Sequence, residues 1–127
     1  MPGTRSNAFP VHDVVVGYSS AAVTAAQVLW EQVMVFPGKI GAIKVFAVTA
    51  GTGGGNTVCD VLLNGTTIWT AAGNRPTGLA VTANLEFTNT TPDVRAFQPG
   101  DRIQLQVASV SSTGHARLMM SVALELA

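Results

Sequence analysis

Short runs of β-branched and aromatic residues, interrupted about every ten residues by Gly, Pro, Asn or Asp, leave room for strands and little for helices. The runs predict strands at Val11–Tyr18, Val28–Phe36, Ile40–Thr49, Thr57–Leu63, Thr66–Ala71, Val81–Phe87, Arg102–Val110 and Ala116–Leu126, with a further one over Val94–Phe97. The only helix-like stretch, Ser19–Gln27, is Ala-rich but too short to hold itself together, so a loop is expected there. Short strands at this spacing predict an all-β fold, an antiparallel β-sandwich of jelly-roll type with about eight strands.

Turn chemistry sets the register. Asn64-Gly65 lies between two β-prone runs and supplies the two positive-φ residues of a type I′ hairpin, which predicts pairing of Thr57–Leu63 with Thr66–Ala71. Pro37-Gly38 and Pro99-Gly100-Asp101 each stand before a strand, and Ser111–His115 reads as another hairpin turn. Strict alternation in Arg102–Val107 points Ile103, Leu105 and Val107 inward and leaves one wet face. In the run beginning at Ile40, Ile40, Phe46 and Val48 fall on one side and Ile43 and Val45 on the other, which predicts a central strand with little access to water. The expected core contains Ile43, Val45, Val61, Leu63, Ile103, Leu105, Val107, Leu118 and Val122.

Only 11% of the residues are charged, against about 25% in typical soluble domains, and the seven Lys and Arg balance the seven Asp and Glu. Neither sign is clustered, which argues against a nucleic-acid or membrane-surface partner. No apolar run approaches the ~18 residues of a membrane span, and the start of the chain lacks the apolar stretch of a secretory signal. A nearly uncharged surface with no net charge favours association, so a homo-oligomer is expected. Residues 1–10 show no period and are read as an extended arm, and residues 11–127 as a single sandwich domain.

No set of residues points to catalysis, a metal or a cofactor. Gly51–Thr57 is Gly-rich but lacks the Lys-Ser/Thr pair of a phosphate loop, and reads as a connection between strands. His12 and His115 have no second ligand at metal spacing, and the serines form no nucleophile elbow. The carboxylates are scattered, and Cys59, the only cysteine, sits in an apolar strand as a small core residue. Trp30 and Trp69 suit either the core, an interface or a sugar-stacking platform, and the alternation of Ile68 and Trp69 predicts that one of them faces outward.

From Asp60 onward the order of motifs becomes more specific: Asp60-Val61-Leu62-Leu63-Asn64-Gly65-Thr66-Thr67-Ile68-Trp69, then Asn74-Arg75-Pro76-Thr77, then Pro92-Asp93-Val94, Phe97 and Gly100-Asp101-Arg102-Ile103. This resembles a β-sandwich module that recurs in structural proteins of tailed bacteriophages. As a free-standing sandwich the chain is most similar to capsid decoration, or cement, proteins. The resemblance implies a non-enzymatic virion protein without cofactors, made in the host cytoplasm and placed on the head surface. Its implied partners are the major capsid protein and copies of itself, most simply a trimer. The alternatives are a tail or fibre module that binds a receptor or host glycan, and a non-viral sugar-binding domain. Phe9, Pro10, Trp69 and Arg75 are the candidate subunit or capsid contacts, with Arg75 either tying loops through Asp93 or Asp101 or remaining solvated.

Overall fold

A computed structural model describes residues 11–126, in which ten strands form, most of them where the β-branched runs lie. They are β1 (Val11–Ser19), β2 (Val28–Val33), β3 (Gly38–Thr49), β4 (Asn56–Leu63), β5 (Thr66–Thr67), β6 (Thr77–Leu79), β7 (Leu85–Glu86), β8 (Ala96–Phe97), β9 (Arg102–Ser109) and β10 (Ala116–Leu126). All pairings are antiparallel. The first sheet has the order β1, β10, β3, with β7 and β8 both on the far edge of β3; the second has β2, β9, β4, with β5 and β6 on β4.

The pairings are nested. β4 pairs with β5 and β6, β3 with β7 and β8, β2 with β9, and β1 with β10, so each pair encloses the one before it in the chain. This is one long two-stranded ribbon, closed at Asn64-Gly65 and wound so that successive segments fall in opposite sheets. That is the jelly roll.

The tip of the ribbon has the expected backbone, with φ of 54° at Asn64 and 85° at Gly65. Asn64 also fastens it to the start of β9. Its side-chain oxygen accepts the Arg102 N–H at 2.9 Å and its side-chain nitrogen donates to Asp101 Oδ1 at 3.0 Å. The neighbouring turn, Gln98 to Asp101, has Pro99 followed by Gly100 at φ 94°, and the Asp101 N–H closes on the Gln98 oxygen at 3.1 Å. Ser19 ends β1, and residues 20–27 form the expected loop, which plugs one end of the sandwich with fully buried Val23.

Several elements depart from the sequence expectation. The hairpin arm is two residues long instead of six, because the chain leaves β4 after Thr67 and β6 takes the vacated place. Val81–Phe87 turns at residues 80–84, with Val81 exposed, and only Leu85–Glu86 pairs. Ser111–His115 is a crossover rather than a hairpin turn, since β9 and β10 belong to different sheets. That crossover packs on the Gly-rich segment, where a Cβ on Gly51 would lie 2.1 Å from the Thr113 oxygen, so only glycine fits.

β3 carries one extra residue, since Ile40 faces Leu124 while Ile43 faces Val122. The bulge switches the inward set from Ile40 to Ile43, Val45 and Ala47. Contrary to the two-sided burial expected, Phe46 is left on the outer face, 37% exposed. Of the expected core, Leu63 is only half-buried, at the hairpin end, and the other eight are buried around Trp69 and Phe97.

Gly65→Val should destabilise the fold by about 1–2 kcal/mol, the cost of a branched L-residue at positive φ, while Gly65→Asn should cost less. Urea unfolding should show a lower midpoint with an unchanged slope.

Candidate functional site

The alternation of β1 turns Val15, Gly17 and Ser19 inward and leaves Val14, Val16 and Tyr18 outside. Cross-strand register extends this outer face. Tyr18, Met119 and Phe46 form one row, and Val16, Ser121 and Lys44 the next, with Val14 beside Ala123. Val14 is 58% exposed and Val16 51%. The patch ends at the ion pair of Lys44 with Glu86, 3.1 Å apart and well exposed, a rim contact that contributes little to stability.

β1 is also an open edge. Among the described residues its nine positions pair with β10 alone, and it carries no Pro, Lys, Arg or bulge to discourage a further strand. The one local protection is Asp13, whose Oδ1 accepts the Val14 N–H at 2.9 Å.

Beside this edge the two sheets part. At one end β1 and β2 touch so closely that a Cβ on Gly17 would lie 2.6 Å from Leu29 Cβ. Towards the other end they diverge and leave a cleft of about 220 Å³, lined by Val15, Trp30, Met34, Phe36, Leu124 and Leu126. Val35, 68% exposed, and Phe36, 61% exposed, stand at this opening. A larger hollow of about 640 Å³ lies between the outer face of β3 and the connection after β7. It is polar, with Lys44, Glu86, Asn89, Thr90, Arg95 and Glu125 among its walls.

Of the four candidate contact residues, the structure describes Trp69 and Arg75. Trp69 is fully buried and its Nε1 donates to the Thr90 oxygen at 2.9 Å, so its side chain offers no surface to a subunit or a sugar. Ile68 is buried too, contrary to the expectation that one of the pair faces outward, because strand alternation stops at Thr67. Arg75 pairs with neither Asp93 nor Asp101. Its Nη1 meets Asp60 Oδ2 at 3.1 Å, and the other Asp60 oxygen accepts the Thr67 hydroxyl at 2.6 Å. Phe9 and Pro10 lie outside the described residues, as does the whole arm of residues 1–10.

The polar chemistry of the interior is committed to structure. Burial, reinforced by the charge of Asp60, pushes the Cys59 thiol up to about 12, so it is no nucleophile at neutral pH. His115 is fully buried between Thr57 Oγ1 at 2.8 Å and the Thr82 oxygen at 3.0 Å. The Thr82 carbonyl can only accept, so Nε2 donates to it, and Nδ1 shares a hydrogen bond with the Thr57 hydroxyl. Bonds from the Thr70 N–H and hydroxyl hold the Asp93 carboxyl below its ordinary range, and the Asn64 side chain and Gln98 N–H do the same for Asp101. Among the described residues no three His, Cys, Asp or Glu side chains are grouped to hold a metal ion, and no helix is long and apolar enough to cross a membrane. Comparison with known proteins finds no matching family, curated protein or solved structure.

The outer patch had a signal in the sequence, because Val14, Val15 and Val16 put apolar side chains on both faces of one strand. The cleft had none, since it arises where β1 and β2, which belong to different sheets, diverge.

Arg75→Ala should cost about 3 kcal/mol in denaturant unfolding, because it strands the Asp60 carboxylate, and adding Asp60→Asn should restore part of the loss. Asp93 and Asp101 have folded values below their unfolded ones, so their contribution is present above about pH 3.9 and lost as pH falls below it. Asp93→Asn and Asp101→Asn, which keep an acceptor, should each flatten the decline in melting temperature between pH 5 and 2.

Proposed function

We propose that this chain is a non-enzymatic structural protein of a tailed-bacteriophage virion, a capsid decoration protein that binds the outer head surface and braces it. Its partners in this reading are the major capsid protein and copies of itself in a homotrimer. The observation that carries the proposal is the apolar outer face of Val14, Val16, Tyr18, Met119 and Phe46, continuous with the edge of β1 that no other described strand pairs. A face of this kind costs little to desolvate and gains roughly 25 cal/mol for each Å² covered. The rest of the chain supports the same reading: the motif order from Asp60 onward resembles that of phage sandwich modules, and the chain has few charges to oppose close packing.

The polar hollow favours a second reading, a tail module that binds a host glycan, since Asn89, Thr90, Arg95 and Glu125 offer donors and acceptors to a hydroxyl-rich ligand. The two readings separate on copy number and on ligand. A decoration protein is present in many copies per purified head, whereas a tail module is scarce and loses glycan binding on Asn89→Ala.

The double substitution Val16→Lys with Phe46→Lys should leave the thermal transition within a few degrees of the parent, since both side chains are exposed. It should abolish binding to heads stripped of the protein, measured by co-sedimentation. Undiminished binding of that variant counts against the sheet face as the contact.

A further inference from the structure

We infer that the cleft between β1 and β2 receives Phe9 from a second copy of this chain, so that neighbouring subunits exchange their N-terminal segments. The inference rests on the assembly reading above and names the contact that would hold the copies together. The cleft opens the core to solvent through Trp30, Met34 and Leu124, with Val35 and Phe36 at its mouth. Phe9 is the only aromatic residue in the ten that precede Val11, and a cleft of about 220 Å³, mostly apolar with Asp13 and Gln32 on its walls, suits one aromatic ring. Those ten residues carry Arg5 and no carboxylate, while Asp13 sits on the wall of the cleft. The charges are complementary.

Geometry decides whose Phe9 fills it. Val11 pairs with Leu126, and the cleft meets β1 further along, at Asp13 and Val15. A Phe9 of the same chain that continued the line of β1, at about 3.3 Å per residue, would stand roughly 13–20 Å beyond those two positions. A return would need a reversal at Phe9 and Pro10, yet proline disfavours the helical region for the residue before it and has a fixed φ of its own. The neighbour's segment has no such constraint, and it can run along the free edge of β1 while its ring enters the cleft. In a closed ring each subunit gives one segment and receives one.

Cysteine cross-linking tests this on the full-length chain. Cys59 is fully buried with its thiol pushed up to about 12, and so stays out of the reaction. A chain carrying Phe9→Cys, mixed with one carrying Val35→Cys, should form a disulfide-linked heterodimer at least tenfold faster than Phe9→Cys mixed with Leu79→Cys, an exposed control. Equal rates would overturn the inference. So would ring closure within single chains of the Phe9→Cys, Val35→Cys double variant at high dilution, which would assign the cleft to the chain's own segment. Phe9→Ser should weaken self-association by roughly tenfold or more in sedimentation, with the melting transition of the sandwich retained. If Phe9→Ser associates like the parent, the exchange is wrong while the assembly reading stands. If the parent itself is a monomer at micromolar concentrations, both fall.

Discussion

Two positive backbone dihedrals, at Asn64 and Gly65, close a ribbon on which every other pairing in the molecule depends. The turn brings Leu62 against Thr67 and Leu63 against Thr66, and each later pair of strands lies outside the one before. A slip of one residue at the tip would reverse the faces of β4 and carry Val61 and Cys59 out of the core. Asn64 guards against this by bonding Arg102 and Asp101. The tip is therefore tied directly to β9, the strand that pairs with β4.

Polar groups hold the connections that the ribbon cannot. His115 ends the crossover into β10 and joins Thr57 of β4 to the turn at Thr82, with Phe87 edge-on to its ring at 5.3 Å. Asp60, Thr67 and Arg75 form a second tie, from β4 across β5 to the loop before β6. No fully buried side-chain polar atom among the described residues lacks a partner. In a medium of low polarizability such ties discriminate between alternative packings, because a broken one leaves an unpaired polar group. They also use up the residues that looked chemically interesting. Facing solvent are an apolar sheet face, the edge of β1 that no described strand pairs, an opening into the core and the polar hollow beside β3.

That division explains which parts were readable. Turn residues act over two or three positions, so Asn64-Gly65 and Pro99-Gly100 could be placed in advance. Alternation is equally local, and Ile103, Leu105 and Val107 are buried as the pattern requires. Errors arose where a distant segment competes for the same place. β6 displaces the end of the expected hairpin from β4, and the bulge opposite Ala123 reverses the faces of β3. Neither event leaves a mark in the residues it affects. Trp69 shows the same limit, since its burial is set by the Thr90 carbonyl twenty-one residues away.

The residues alone determined that the chain would be all-β, where the ribbon would fold back on itself, and that few charges would stand on its surface. These follow from backbone sterics and side-chain period, which need no knowledge of neighbours. Only the tertiary structure decided that Ser111–His115 crosses between sheets, that Arg75 answers Asp60, and that Val14 and Val16 of β1 form one patch with Met119 and Phe46. Each joins positions far apart in the chain, and the free energy that selects them is that of filling one shared core without leaving a polar group unpaired.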